Sequence, residues 1–288
     1  TFSLRPVFRR AALGLGLAIV LPLAPLAAQT LDATPEAGKP LWEIGAGAVG
    51  AYGPDYPASD EYSGNGLPFP FVLYRGEFLR IDDEAARIVG IETPAYSFGI
   101  SAGGAFPAKS EDNIAREGMP DLDYLVELGP ELVLTGPRFA EGRGKSALAF
   151  QARAMVSAAS GGLGYEGAVF ETKARASLKE VLGGQISGSV GVIFGSERVH
   201  DYFYEVDPTF ATATRPAYDA QAGYLGTQVK IGYSRELGKR TLVFGGLTLG
   251  LHQGAANAGS PLFRTGTNAA ISVGLIHSFF TSKTRVSE

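Results

Sequence analysis

The 288 residues contain no cysteine, two methionines, one tryptophan and three histidines. Without cysteine there is neither a disulfide framework nor a thiolate metal site, and the count suits an oxidising compartment where a stray thiol is a liability. The histidines, His200, His252 and His277, are dispersed. No H-E-x-x-H, G-x-S-x-G or H-x-H spacing gathers them or a nucleophile into a site. The chain is therefore expected not to be an enzyme and to hold no catalytic, cofactor or metal site. A basic tract is also missing and the formal net charge is −4, so no nucleic-acid partner is expected. Past residue 28 no apolar run is long enough for a spanning helix. If the mature chain enters a membrane, it must do so with strands closed into a barrel.

At the start, Arg5, Arg9 and Arg10 precede the apolar run 11–28, which is interrupted by Pro22 and Pro25 and ends in Leu26-Ala27-Ala28. A basic region, a short apolar region and small residues predict a secretory signal peptide over 1–28. A transmembrane helix is the competing reading, and two prolines argue against it. Loss of this segment takes away three arginines and no acids, moving the formal charge from −4 to −7. Residues 29–40, rich in Thr, Pro and Gly, read as a flexible leader.

The clearest pattern lies between Tyr165 and Phe194. Ala168, Phe170, Thr172, Ala174, Ala176 and Leu178 alternate with Val169, Glu171, Lys173, Arg175, Ser177 and Lys179. After a turn at 181–184, Ile186, Gly188, Val190, Val192 and Phe194 alternate with Gln185, Ser187, Ser189 and Gly191. Period-two alternation with one apolar and one polar face predicts a long antiparallel hairpin. Each arm reaches roughly 10 residues, enough for a tilted strand to cross a bilayer. A soluble β-sandwich would show the same hairpin with its apolar face on a core.

The rest of the chain decides for lipid. Trp42, Ile44, Ala46, Ala48 and Tyr52 share one face of a first strand over 41–52, placing Trp42 and Tyr52 in two aromatic girdles. That strand contains the G-x-G-x-x-G string Gly45 to Gly50, but Ala51-Tyr52-Gly53-Pro54 cannot start the helix that a dinucleotide site needs. Small residues facing a narrow lumen explain these glycines better. Further strands are predicted over 68–74, 78–82, 87–92, 96–106, 148–156, 225–233, 243–251 and 268–280; Leu122–Leu134 fits a strand or a short helix and is read as a strand. The fold class is thus all-β, a transmembrane antiparallel up-and-down β-barrel of about 12 strands over 41–280, with a tail at 281–288. Connections near 76, 94, 140, 182 and 237 are short, and those at 53–66, 107–121, 196–217 and 253–267 are long, the asymmetry of periplasmic turns and external loops. Ser272 to Phe279 resembles the assembly signal of bacterial outer-membrane barrels, with His277 where an aromatic or aliphatic residue is usual.

On this orientation Arg153, Glu171, Lys173, Arg175, Lys179, Gln228 and Lys230 face the lumen, because a Lys or Arg facing lipid at midplane costs about 2–4 kcal/mol. They either line a small polar pore or pair and close it. Two acidic turns, Asp82-Asp83-Glu84 and Asp121-Leu122-Asp123, either hold a cation between loops or are simply solvated.

Several stretches together resemble the MipA/OmpV family of outer-membrane proteins. They are Pro54 to Asp60 with Pro68-Phe69-Pro70-Phe71 and Tyr74; Leu128-Gly129-Pro130-Glu131-Leu132; Tyr202 to Val206 followed by Tyr218 to Gly223; and Gly259-Ser260-Pro261-Leu262. Ala58-Ser59 stands where the family often has Gly-Ser, and Glu205 replaces a small residue. The resemblance implies a closed barrel in the outer membrane with lipid around it. It also implies a scaffold that holds a murein lytic transglycosylase and a bifunctional murein synthase together. A narrow channel for small solutes is the alternative, since fold does not fix function.

Overall fold

The computed structural model describes residues 39–74, 88–159 and 162–286. Its strands in chain order are β1 (Lys39–Pro40), β2 (Trp42–Pro54), β3 (Tyr62–Tyr74), β4 (Ile88–Glu92), β5 (Tyr96–Ala105), β6 (Tyr124–Thr135) and β7 (Gly144–Ala159). They continue with β8 (Gly162–Val181), β9 (Gly184–Gly195), β10 (Gly223–Leu237), β11 (Thr241–Leu251), β12 (Thr267–Thr281) and β13 (Arg285–Val286). One α-helix, α1 (Glu197–Tyr204), interrupts the connection between β9 and β10. Among the described residues no helix is long and apolar enough to cross a membrane.

Eleven strands form one sheet in the order β3-β2-β12-β11-β10-β9-β8-β7-β6-β5-β4, each pair antiparallel. Every neighbour is adjacent in sequence except β2 with β12, where the first long strand meets the last. Among the described residues the two edges of this sheet are β3 and β4. The chain joining them, with the strand expected at 78–82 and the acidic turn Asp82-Asp83-Glu84, lies outside the described residues. The sheet is wrapped rather than flat, because inner-face residues from β2 and β3 round to β12 line a single cavity.

Alternation sets which face is which. Along β8 and β9, Phe170, Ile186, Val190, Val192 and Phe194 are exposed, while Glu171, Gln185 and Ser187 are buried. The pattern repeats elsewhere: Ile271, Val273, Leu275 and Phe279 of β12 point out, and Asn268 and Ser278 point in. A soluble sandwich has the opposite polarity. Strands of 13, 16, 20 and 15 residues in β2, β7, β8 and β10 exceed the 9–11 residues a tilted strand needs to span the hydrocarbon.

The glycines of the G-x-G string sit mid-strand in β2 and face inward. A Cβ at Gly45 or Gly47 would lie 2.6 Å from the ring of Phe71 or Phe69, the aromatic residues at the paired positions of β3. Glycine here makes room for two lumen-filling rings, and no helix follows.

Three sequence expectations change. The connection expected at 53–66 contracts to 55–61, because β2 runs on to Pro54 and pairs it with Tyr62; Tyr52 and Tyr62 stack with centroids 5.7 Å apart. The connection at 196–217 contains α1, whose Val199, His200, Phe203 and Tyr204 are buried. The tail is tied down: β12 reaches Thr281, the Ser282 amide donates to Trp42 O at 2.8 Å, and β13 pairs with β1.

Candidate functional site: the lumen and its cap

The largest apolar core lies beyond the strand ends, where the four long connections meet. Tyr56 and Ala58 (55–61), Leu122 (106–123), Val199, Phe203, Tyr204, Val206 and Ala220 (196–222) and Leu262 (252–266) pack as one cluster on Leu125, Met155, Val169, Ile193 and Leu225 from the strands beneath. The hydrogen bonds also cross between connections. The Tyr56 hydroxyl donates to Leu262 O at 2.9 Å, the Tyr204 hydroxyl to Pro57 O at 2.9 Å and Ser260 Oγ to Tyr204 O at 2.6 Å. Asn113 Nδ2 donates to Asp55 Oδ2 at 2.7 Å, and the Arg116 guanidinium donates to Phe203 O at 3.3 Å and stands 5.7 Å from the Tyr56 ring centre. Burial pushes the Tyr56 phenol up to about 12 despite the pull of Arg116. Residues that carried the family resemblance at Tyr56, Tyr204, Ala220 and Leu262 are the ones that hold this cap together. Ala58, fully buried, has φ +62°, a conformation in which glycine is unstrained.

His200 is buried in the cap. Its Nδ1 accepts from Asn257 Nδ2 at 2.7 Å and its Nε2 donates to Gly223 O at 3.1 Å. Asn257 cannot turn over cheaply, because its Oδ1 accepts from the Gln221 amide at 2.9 Å. Burial lowers the pKa of His200, keeping the ring neutral. His252 contacts Leu225 O at 3.1 Å and His277 contacts Thr241 Oγ1 at 2.8 Å, so the three histidines stay apart. Asp121 accepts from the Ser110 amide and hydroxyl at 2.7 and 2.8 Å, which hold its carboxyl below the usual range. Among the described residues no group of three His, Asp or Glu has the geometry to hold a metal.

Beneath the cap is a cavity of about 380 Å³. The wall contains Arg153, Glu171, Lys173, Arg175, Gln228 and Lys230, six of the seven residues read as lumen-facing. Lys179 stands nearer the β8–β9 turn, opposite Gln185, outside the cavity wall. Arg153 is the hub: Nε donates to Glu127 Oε2 at 2.8 Å, Nη2 to Glu171 Oε2 at 3.0 Å, and Nη1 to Gln151 Oε1. Lys173 Nζ lies 3.1 Å from Glu171 Oε1. Gln151 Nε2 donates to Glu131 Oε1 at 2.7 Å, and Arg175 reaches the same oxygen at 4.0 Å. Glu127, Glu131 and Gln151 were missed by the sequence reading. The signal was the inward set Leu125, Glu127, Gly129, Glu131 and Val133 on the strand read over 122–134, and Gln151 two residues before Arg153 on the same face of β7.

An antiparallel meander with apolar residues outside, charges inside and a capped mouth defines a protein of the membrane-barrel type. The chain belongs to the family described as MltA-interacting protein MipA, whose model matches residues 46–279. None of the curated proteins matches it. Among solved structures it is similar to an outer-membrane channel from Pseudomonas putida F1, at 13% identity and TM-score 0.47 over 87% of this chain and 100% of that one. It is also similar to an anion-selective porin from Comamonas acidovorans, at 11% identity and TM-score 0.37 over 85% and 100% of the two chains.

Proposed function

We propose that the chain is an outer-membrane β-barrel, sealed by its own connections, that serves as a scaffold for murein enzymes, among them a lytic transglycosylase of the MltA kind. The observation that carries this reading is the cap: four connections share one buried core over one mouth, and the Arg153 hub ties charges together below it. Membership in a family described by its interaction with MltA supplies the partner class. The outward apolar face supplies the lipid setting. The reading assigns the chain no catalysis.

A narrow channel is the second reading, favoured by the charged cavity of about 380 Å³. The test pairs conductance in planar bilayers with pull-down from crosslinked envelopes, for the parent and for Lys173→Glu with Arg175→Glu. A scaffold shows no steady conductance and recovers the murein enzymes with both forms. Steady conductance altered by the charge reversal, with no murein enzyme recovered, overturns the scaffold in favour of the channel.

A further inference from the structure

We infer that the turn end of the barrel, opposite the cap, carries a seat for an anionic phospholipid whose headgroup phosphate is held by Arg235, Lys239 and Arg240. The two ends of the molecule differ in charge. The connections that form the cap, at 55–61, 106–123, 196–222 and 252–266, carry 13 acids against 5 bases. Among the described residues, the short turns at 93–95, 136–143, 182–183 and 238–240 and the tail at 282–286 carry 6 bases against 1 acid. An anionic surface is repelled at the cap and attracted at the turns. The β10–β11 turn concentrates this charge. Arg235, Lys239 and Arg240 are all exposed there, and no carboxylate of the described residues forms an ion pair with them.

Depth in the membrane selects lipid as the occupant. Tyr233 is paired with the outward, exposed Ile186, so Ile231, Tyr233, Arg235 and Leu237 share the lipid-facing side of β10. Ile231 belongs to the apolar band and Tyr233 stands where an aromatic girdle is expected. Two further residues of a tilted strand advance about 5 Å along the membrane normal, and the headgroup layer is about 5–8 Å deep. Arg235 and the turn that follows it therefore lie among headgroups. The neighbouring β8–β9 turn is shaped to hold them. The Tyr233 hydroxyl donates to Leu182 O at 2.9 Å, and a Cβ at Gly184 would lie 2.7 Å from that hydroxyl. A Cβ at Gly183 would lie 3.5 Å from Arg235 Cζ, so tyrosine and arginine rest over two adjacent bare glycines. Leu182 and Leu237, 84% and 52% exposed, flank the cations. Leu182 also keeps φ at +50°, a conformation that disfavours a leucine. Three cations with two leucines beside them match the phosphate and the acyl chains of one molecule; free phosphate or an acidic peptide would use the cations alone. The seat goes beyond both readings of function above and holds for either.

Native mass spectrometry of the full mature chain, refolded in uncharged detergent doped with phosphatidylglycerol or phosphatidylcholine of the same acyl chains, tests this. The parent retains phosphatidylglycerol in preference to phosphatidylcholine. Changing Arg235, Lys239 and Arg240 together to Gln weakens that retention roughly a hundredfold, while changing all three to Lys keeps it. Leu182→Ser with Leu237→Ser keeps every charge and also weakens retention. Lys109→Gln with Arg264→Gln, at cap cations already paired with Glu111 and Asp60, changes nothing. Glycerol phosphate, the same anion without acyl chains, does not displace the lipid. Equal retention of the two lipids, or a preference that survives the three glutamines, overturns the seat. Displacement by glycerol phosphate at about 10 mM reduces it to an anion site and overturns the lipid assignment. If the three glutamines leave lipid retention intact and instead abolish recovery of murein enzymes from crosslinked envelopes, the turn docks protein and the proposal falls. A heat-dependent gel shift of each variant reports that it has folded.

Discussion

Arg153 bonds two carboxylates in a buried setting, so its removal leaves Glu127 and Glu171 facing each other with Lys173 and Lys230 as the remaining cations near them. Breaking a buried ion pair from one side costs about 3–5 kcal/mol, because the abandoned charge remains buried. Arg153→Met is therefore expected to destabilise the barrel by about that much in guanidinium unfolding from lipid vesicles. Arg153→Lys should recover part of the loss, since lysine keeps the charge but not the three-way fork to Glu127, Glu171 and Gln151. Adding Glu127→Gln and Glu171→Gln to Arg153→Met should recover more than half; if the triple variant is as unstable as the single one, the cost is packing rather than charge. The sequence displayed Arg153 and Glu171 as polar interruptions on alternating strands. It did not display that they meet, because β7 and β8 could slide by two residues and keep the same faces. Register, and with it the hub, belongs to the finished sheet, where Gln151 pairs with Glu171 and Arg153 with Val169.

The cap was the least legible element. Its connections do not alternate, and their contacts join residues as far apart as Tyr56 and Leu262, 206 positions along the chain. Helix α1 read as loop because it is only eight residues long and polar on one side. That polar side has a consequence. Burial, then Glu205 at the helix C-cap through its charge and a side-chain hydrogen bond, then Glu197 in the first turn and Asp219, push the Asp201 carboxyl from 3.8 up to about 6. A carboxyl whose folded value is raised binds its proton more tightly in the folded state, so it favours the cap below about pH 4 and loses that contribution as pH rises through about 6. His200 works the other way: its neutral form is the buried one, and its contribution is full above 6.5 and lost on acidification. Asp201→Asn removes the repulsion at neutral pH without touching His200. A like-charge pair one helical turn apart costs about 0.2–0.5 kcal/mol, so melting should rise by roughly 1–2 °C at pH 7.5. No gain is expected at pH 4, where the aspartate is already protonated. Scanning calorimetry at the two pH values checks this, and an equal gain at both would mean that charge is not the cause.

Among the described residues, eleven strands in a meander, with β2 joined to β12, leave one pair of edges, at β3 and β4. The antiparallel meander and its inside-out polarity were readable from alternation and from the asymmetry of short and long connections, since each is a local property of the chain, whereas the β2–β12 pairing joins the two ends of the sequence and has no local signal. The polarity predicts a simple behaviour. A barrel with its ladder satisfied in a ring resists SDS until heated, so the band from outer-membrane fractions should run faster unboiled than boiled. The β2–β12 seam carries this resistance. Leu275 pairs with Ala48 in mid-seam, and a proline there deletes a ladder donor between the first and last strands. Leu275→Pro should abolish the fast band, whereas Thr284→Pro, in the short segment leading to β13, should keep it. If neither substitution alters migration, the seam does not hold the ring. A single unshifted band in the soluble periplasm would sink the membrane reading as a whole, because the exposed rows of Val, Ile, Leu and Phe would then need a protein partner in place of lipid.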